Sequence, residues 1–104
     1  MSKIAVLAKL TAAEGKRAEA LAVLSAQVAL VNGETGTEIY ALHTDDGDDV
    51  TIWFYELYTD DAALAHHSGS EAMAALGPKL KGLMAARPEI KRLTPVTAKG
   101  LSVS

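Results

Sequence analysis

The chain contains no cysteine among its 104 residues. This absence excludes a disulfide framework, a thiolate-ligated metal or iron–sulfur centre and a cysteine nucleophile. No apolar run approaches the ~18 residues of a membrane-spanning helix, and the N-terminal stretch is too short and strand-like for a signal peptide. Ten Lys and Arg residues stand against 13 Asp and Glu, for a net charge of −3, which disfavours a nucleic-acid-binding surface. We therefore expect a cytoplasmic protein with a small-molecule or protein partner, and neither a nucleic acid nor a membrane as partner.

Large apolar side chains are also scarce. Hydrophobic residues make up 49% of the chain but aromatic residues only 5%, and alanine supplies much of the difference. A chain of this length forms one domain, which we place over residues 1–104 with a core of about 3–96 and a tail of 97–104. Because alanine buries little area, we expect a second copy of the chain to add burial, and thus a homo-oligomer.

The apolar periodicity predicts strands and helices in the order β-α-β-β-α-β. The second helical region is expected to be split, with a short turn followed by a longer helix that Ser70 caps and that Gly77 and Pro78 interrupt. The apolar stripe of the first helix is predicted to be Leu21, Leu24, Val28 and Val31. This order is the ferredoxin-like α+β arrangement, a four-stranded antiparallel sheet with helices on one face. The predicted strands cover residues 3–10, 36–44, 50–59 and 88–95, and the predicted helices begin near residues 16, 60 and 70.

The third predicted strand is apolar on both of its faces. Alternation puts Ile52, Phe54, Glu56 and Tyr58 on one face, toward the helices, and Trp53, Tyr55 and Leu57 on the other. The second face needs a cover that one copy of the chain does not supply. We expect two such sheets to pack face to face and form a dimeric α+β barrel.

The aspartate-rich run 45–49 lies between two predicted strands. Asp46-Gly47 is a strong hairpin signal, and no glutamate follows at the spacing that a calcium loop requires, so the run is predicted to be a solvated hairpin tip. His43, beside it, is predicted to lie at the surface. His66 and His67 point about 100° apart on a helix, so they do not chelate one ion, and no metal site is expected.

Glu56 and His67 are the residues that suggest chemistry. A carboxylate in an aromatic strand is costly to bury without a partner. Glu56 is therefore either an edge carboxylate that reaches water or a lysine (Lys79, Lys81 or Lys91), or a site residue whose pKa its surroundings shift. One of the two adjacent histidines can face the sheet while the other faces solvent. Phosphate-loop, dinucleotide and Gly-x-Ser-x-Gly patterns are absent, so we expect no cofactor and chemistry limited to acid–base groups in a pocket.

Several short segments resemble the antibiotic biosynthesis monooxygenase (ABM) family over roughly residues 3–96. They are 36–43 (GTEIYALH), 54–58 (FYELY), Ala63-Leu64 with His67, 88–90 (PEI) and 93–96 (LTPV). The resemblance implies a dimeric α+β barrel with a pocket between sheet and helices. It also implies a cofactor-independent monooxygenase that oxidises a quinol or polycyclic phenol with molecular oxygen.

Carried over residue by residue, the resemblance assigns catalysis to Glu56 and His67 and substrate contacts to Tyr40, among others. His67, oriented or charge-balanced by Glu56, would remove the substrate proton, and apolar side chains would exclude water from the radical pair. The sequence departs from the family where Thr37 replaces a common asparagine or cysteine, Glu38 a leucine and Ala72 a frequent second histidine. The predicted substrate-contacting residues are Tyr40, Phe54, Thr37, Met73 and Leu76.

Other activities of related proteins fit the chain to different degrees. Haem degradation is disfavoured, because Ala8, His67 and Gly77 stand where haem-degrading members have asparagine, tryptophan and histidine. Two alternatives stay open: an oxygen-independent acid–base isomerase of the same fold, and a ligand-binding or regulatory dimer without catalysis.

Overall fold

A computed structural model describes residues 2–104 and confirms the predicted order of elements. The antiparallel sheet has the strand order β2-β3-β1-β4, which is the ferredoxin-like topology. Within the described residues, no helix is long and apolar enough to cross a membrane. The elements are β1 Ile4–Thr11, α1 Arg17–Val31, β2 Thr37–Thr44, β3 Thr51–Tyr58, α2 Asp61–Ser68, α3 Glu71–Leu80 and β4 Glu89–Leu93.

The register of the sheet determines which side chains surround Glu56. Val6 on β1 and Tyr40 on β2 are the direct cross-strand partners of Glu56, so all three share one face. One pair further along the same face, Phe54 lies between Ala8 and Leu42. The row that contains Glu56 and Tyr40 therefore lies next to the apolar row that contains Phe54, on the same three strands.

Helix α1 covers the apolar end of this face. Its buried residues are Ala20, Leu24, Gln27 and Val31, which include two of the four residues of the predicted stripe, and the other two pack against the core cluster. Leu21 and Val28 are only partly buried, at the sides of the contact. Spacings of four and three residues align the observed set along one line of the helix, and that line includes a glutamine. The core cluster is Ala8, Leu10, Ala12, Ala20, Leu24, Ile52, Phe54 and Leu76.

Helices α2 and α3 are separate because each begins at its own cap. The Asp60 side chain accepts a hydrogen bond from the Ala63 N–H at 2.8 Å, and the Ser70 hydroxyl accepts one from the Met73 N–H at 3.2 Å. The sequence predicts a kink or two abutting pieces at Gly77-Pro78, and the two pieces were wrong, since α3 is one helix that continues to Leu80. Pro78 lies two residues from the end of α3, where its missing N–H removes only one late hydrogen bond.

The β2–β3 hairpin follows the sequence prediction, and the open face of the sheet follows it at Trp53 and Tyr55 but not at Leu57. Trp53 and Tyr55 are half-buried on the open face, whereas Leu57 is already covered within the single chain. The Asp45 carboxylate accepts the Trp53 indole N–H at 2.7 Å and the Gly47 N–H at 2.7 Å, which stabilises the hairpin tip. His43 is exposed, as predicted.

Candidate active site

His67 lies at the end of α2 with its side chain against the sheet. It is 3% exposed, whereas the adjacent His66 is exposed, so the prediction that the two histidines face opposite ways is confirmed. The centre of its ring is 5.0 Å from that of Tyr40 and 5.3 Å from that of Tyr58. The imidazole is thus held between two aromatic side chains of β2 and β3.

A carboxylate from outside the sheet orients this imidazole. The Nδ1 atom of His67 lies 2.8 Å from Oε1 of Glu34, a residue in the turn after α1. The same oxygen accepts a hydrogen bond from the Thr37 hydroxyl at 2.8 Å. Both partners of the pair are largely buried, with side-chain exposures of 4% for His67 and 11% for Glu34. Nδ1 is therefore engaged, and Nε2 is the ring nitrogen that remains for a bound molecule.

This contact corrects the expectation that Glu56 orients His67. The orienting hydrogen bond comes from Glu34, and the charge of His67 lowers the pKa of Glu56. Thr37, expected to contact substrate, instead holds the Glu34 carboxylate. The arrangement resembles other carboxylate–histidine pairs, in which the carboxylate fixes the ring and balances the charge it acquires as a base.

A close backbone approach brings α2 to this turn. A Cβ atom on Gly36, at the start of β2, would lie 2.5 Å from Cβ of Ala63 on α2. Only glycine leaves room for this contact, because the Ala63 Cβ is fixed to the helix backbone. The contact sets the distance between α2, which carries His67, and the turn that carries Glu34.

Glu56 is buried beside this pair and bonded to a phenol. It is 8% exposed, and the Tyr58 hydroxyl donates a hydrogen bond to its Oε1 atom. Burial raises the pKa of Glu56, while the Tyr58 hydrogen bond and the charge of His67 act against the rise. The alternative of an edge carboxylate was therefore wrong: no lysine among residues 2–104 forms an ion pair with Glu56, and its oxygen is bonded to Tyr58.

The two tyrosines stay protonated in this environment. Burial, followed by the hydrogen bond to Glu56 and the charge of that carboxylate, raises the pKa of Tyr58 far above its ordinary value. Burial and the charges of Glu56 and Glu34 likewise raise the pKa of Tyr40. Both phenols are therefore hydrogen-bond donors, not bases, at any physiological pH.

Glu56 and His67 face one cavity of about 330 Å³ between the helices and β1–β4. Its lining is mainly apolar, and Arg92 of the edge strand lies on its wall. A cavity of this size is in the range of small-molecule sites, with few polar groups directed into an apolar space. It is lined by Val6, Glu56, Leu64, His67, Ser68, Met73, Ile90 and Arg92.

Apart from Thr37, the predicted substrate-contacting residues are divided among three places. Met73 lines the cavity with Glu56 and His67. Tyr40 and Phe54 stack on each other with ring centres 4.5 Å apart, and Tyr40 meets the other side of the His67 ring. Leu76 lines a second cavity of about 390 Å³, which shares Met73 with the first and extends toward the loop after α3.

Two functional candidates, Glu34 and Tyr58, were missed at the sequence level. Tyr58 is two residues after Glu56 on the same face of β3, so alternation alone signalled their contact. Glu34 is 33 residues from His67 and in a turn, and no periodicity connects the two. Across residues 2–104, no group of three or more His, Asp or Glu side chains is placed to hold a metal ion.

The fold and the buried acid–base site are those of a small α+β domain with a ligand cavity between sheet and helices. The chain belongs to the antibiotic biosynthesis monooxygenase family, whose model matches residues 3–78. No curated protein is similar enough in sequence to match the chain.

Solved structures of bacterial proteins share this fold over almost the whole chain. A Caulobacter crescentus protein, whose name assigns it provisionally to the antibiotic biosynthesis monooxygenases, is 31% identical, with 92% of each chain covered and a TM-score of 0.87. A Pseudomonas aeruginosa protein is 28% identical over 93% of this chain and 97% of its own, with a TM-score of 0.85. A Mycobacterium tuberculosis protein at 23% identity, with 93% of this chain and 98% of its own covered, has a TM-score of 0.84 and shows the fold alone.

Proposed function

We propose that this protein is a cofactor-independent monooxygenase that oxidises a quinol or another phenolic small molecule with O2. The observation that carries the proposal is the hydrogen-bonded Glu34–His67 pair, whose histidine lines an apolar cavity together with Glu56. Membership of the monooxygenase family supports the reaction class.

The first step is the removal of a phenolic proton by Nε2 of His67. The Glu34 carboxylate stabilises the positive ring that results, since it accepts the Nδ1 hydrogen bond at 2.8 Å. The Glu56 side chain lines the same cavity, so it is placed to hydrogen-bond to a polar group of the substrate.

The remaining steps transfer electrons from the substrate itself. The phenolate gives one electron to O2, and the resulting phenoxyl radical and superoxide combine through a new C–O bond at a ring carbon that bears hydrogen. This carbon is the para carbon in a monophenol such as 1-naphthol and a carbon next to a hydroxyl-bearing carbon in a 1,4-hydroquinone. The C–H electron pair then forms the new C=O bond while the O–O bond breaks, and the C–H proton passes to the outer peroxide oxygen, which leaves as hydroxide. The hydroxide takes the proton held on His67 to form water. A monophenol and O2 thus yield a para-quinone and one water, and a 1,4-hydroquinone and O2 yield a hydroxyquinone and one water. In both reactions one atom of O2 enters the organic product and the other enters water. The apolar walls exclude bulk water from the radical pair.

An acid–base isomerase is the second candidate for this cavity. It is favoured by a single observation: a carboxyl group of raised pKa and a histidine face the same space. Such a pair can move a proton next to a carbonyl group without oxygen. Turnover under nitrogen separates this reaction from the monooxygenase, and a ligand-binding dimer would turn over nothing.

The decisive experiment is oxygen uptake with single- and double-ring phenols and hydroquinones, including 1-naphthol and 1,4-dihydroxynaphthalene, corrected for autoxidation without protein. His67→Ala should lower the rate roughly 10²- to 10⁴-fold, as expected for loss of a general base. His66→Ala is the matched control, because His66 is the exposed neighbour on the same helix, and it should keep the wild-type rate. Equal rates for the two variants would refute the role of His67.

We also propose that the working unit is a homodimer formed through the open face of the sheet. The half-buried rings of Trp53 and Tyr55 on this face support the proposal. A second copy would cover them and enlarge the buried apolar area of a small, alanine-rich domain. A stable monomer in sedimentation at micromolar concentration would contradict it.

A further inference from the structure

Gln27 is a buried amide with one end unpartnered. The residue is 1% exposed, at the centre of the α1 face that packs on the core. Among residues 2–104, its Oε1 atom is the one buried side-chain oxygen or nitrogen without a hydrogen-bond partner. An unpaired buried acceptor costs about 1–3 kcal/mol, and apolar side chains fill neighbouring positions of the same face, so the amide is not explained by packing.

The other end of the amide contacts the side chain that borders both cavities. Nε2 of Gln27 donates to the sulfur of Met73 at 3.3 Å. Met73 lines the cavity of Glu56 and His67 and also the second cavity of about 390 Å³. Gln27 itself lines neither cavity, and the contact through which it meets them is this thioether. Methionine has an unbranched side chain that repacks readily.

We propose that Gln27 is a substrate-binding residue, reached when the Met73 side chain turns aside. In that arrangement the two cavities join, and the bound molecule extends across both. A hydroxyl group at the end far from His67 donates its hydrogen bond to Oε1 of Gln27. The ligand class is a two-ring or larger dihydroxy aromatic compound, because one polar group must reach His67 and a second must reach α1. This inference rests on the proposed function for the identity of the first group.

The specificity follows from the free-energy cost of leaving the Oε1 atom of Gln27 buried without a hydrogen-bond partner. A ligand with the second hydroxyl satisfies an acceptor that is otherwise buried and unpaired, whereas a ligand without it leaves the acceptor as it was. Discrimination by Gln27 is therefore expected between ligands that differ by one hydroxyl group, and not between ligands that differ in ring size alone.

The test measures binding under nitrogen, where no oxidation occurs, with 1,5-dihydroxynaphthalene, which has one hydroxyl group on each ring, and 1-naphthol as paired probes. Gln27→Leu should weaken binding of the dihydroxy compound about tenfold, the typical worth of one buried hydrogen bond, and change 1-naphthol less than about twofold. The variant should be at least as stable as the wild type to heat, since it replaces an unpaired polar group with an apolar one. Equal losses for the two probes would overturn the proposal.

A second measurement uses only the wild-type protein and therefore does not depend on whether the variant folds. The side-chain amide of Gln27 gives its own pair of signals in a nitrogen–proton NMR spectrum of the wild type. These signals should move on addition of 1,5-dihydroxynaphthalene and stay in place with 1-naphthol. Signals that stay in place with both probes, or no binding of the dihydroxy probe at millimolar concentration, would overturn the proposal. Oxygen uptake that depends on His67 would survive either result, so the two hypotheses fail separately.

Discussion

The two ends of one face of β3 are built on opposite principles. At one end Ile52 and Phe54 are 0% and 3% exposed and belong to the apolar core cluster that also includes Leu24 and Leu76. At the other end Glu56 and Tyr58 are almost as buried, yet they hydrogen-bond to each other next to His67. The apolar end stabilises the fold through burial alone. The polar end keeps groups that are costly to bury, which is the usual mark of a site and not of a core.

The largest effect is expected at the polar end, from the loss of the orienting carboxylate. Glu34→Gln should lower kcat/KM for phenol oxidation roughly 10²- to 10³-fold, because the amide no longer balances the charge that His67 gains as a base. Steady-state oxygen uptake measures the effect. Glu38→Gln is the matched control, the same change at a nearby exposed carboxylate, and it should have little effect. Similar losses of kcat/KM in both variants would show that the effect does not depend on the contact between Glu34 and His67.

At the apolar end the expected loss is in stability. Leu24 is 0% exposed within the core cluster, so Leu24→Ala should lower the free energy of unfolding by about 2–5 kcal/mol. Leu30→Ala on the same helix removes a side chain that is 53% exposed and should cost less than about 0.5 kcal/mol. Urea denaturation of the two variants gives both values. An activity loss in folded Leu24→Ala as large as that of Glu34→Gln would erase the contrast between the two ends.

Gly36 is expected to affect both stability and activity, since its close contact with Ala63 sets the position of α2. Gly36→Ala should force the new methyl group against Ala63 and cost about 1–3 kcal/mol, and it should also lower activity by moving His67 away from Glu34. Gly33→Ala, in the same turn, meets no atom within 4 Å and serves as the control. Thermal unfolding and oxygen uptake should both respond to the first change and neither to the second. A Gly36→Ala protein with full stability would contradict the close contact.

The smallest effect concerns the charge of Glu56. Its pKa is raised above the ordinary 4.5, so the native state binds this proton more tightly than the unfolded state does. The contribution of Glu56 to stability is therefore most favourable below pH 4.5 and decreases as pH rises through the raised pKa.

Glu56→Gln removes this titration, so its stability relative to the wild type should grow as pH rises through that window. Chemical denaturation at pH 4 and pH 8 measures the difference, and other carboxylates cancel because both proteins contain them. A difference that is the same at both pH values would contradict the raised pKa.

The sequence predicts the fold and the inward side chains, but not all of the contacts between them. Alternation placed Ile52, Phe54 and Glu56 on one face of β3, and helical geometry separated His67 from His66. These are local relations, which a period of two or of 3.6 encodes directly. The partnership of His67 with Glu34 depends on how far α2 approaches the turn after α1, and that distance is set by packing between Gly36 and Ala63.

Gln27 shows an intermediate case. It lies three residues after Leu24 and four before Val31, so its place on the buried face of α1 was readable from spacing. The predicted stripe ran through Leu21 and Val28 because hydrophobicity was the criterion, and a buried glutamine does not satisfy it. A polar residue at a position that helical periodicity predicts to be buried indicates a buried polar group. A criterion based on hydrophobicity alone leaves such a residue out.

The central claim is that the Glu34–His67 pair directs insertion of one atom of O2 into a phenol. Oxidation of 1-naphthol under ¹⁸O2, followed at once by mass spectrometry of the quinone, tests it most directly. We predict one ¹⁸O atom in each quinone, the second in water, and loss of this labelled product in His67→Ala but not in His66→Ala. Unlabelled product, or labelled product formed equally by the His67 variant, would contradict the account.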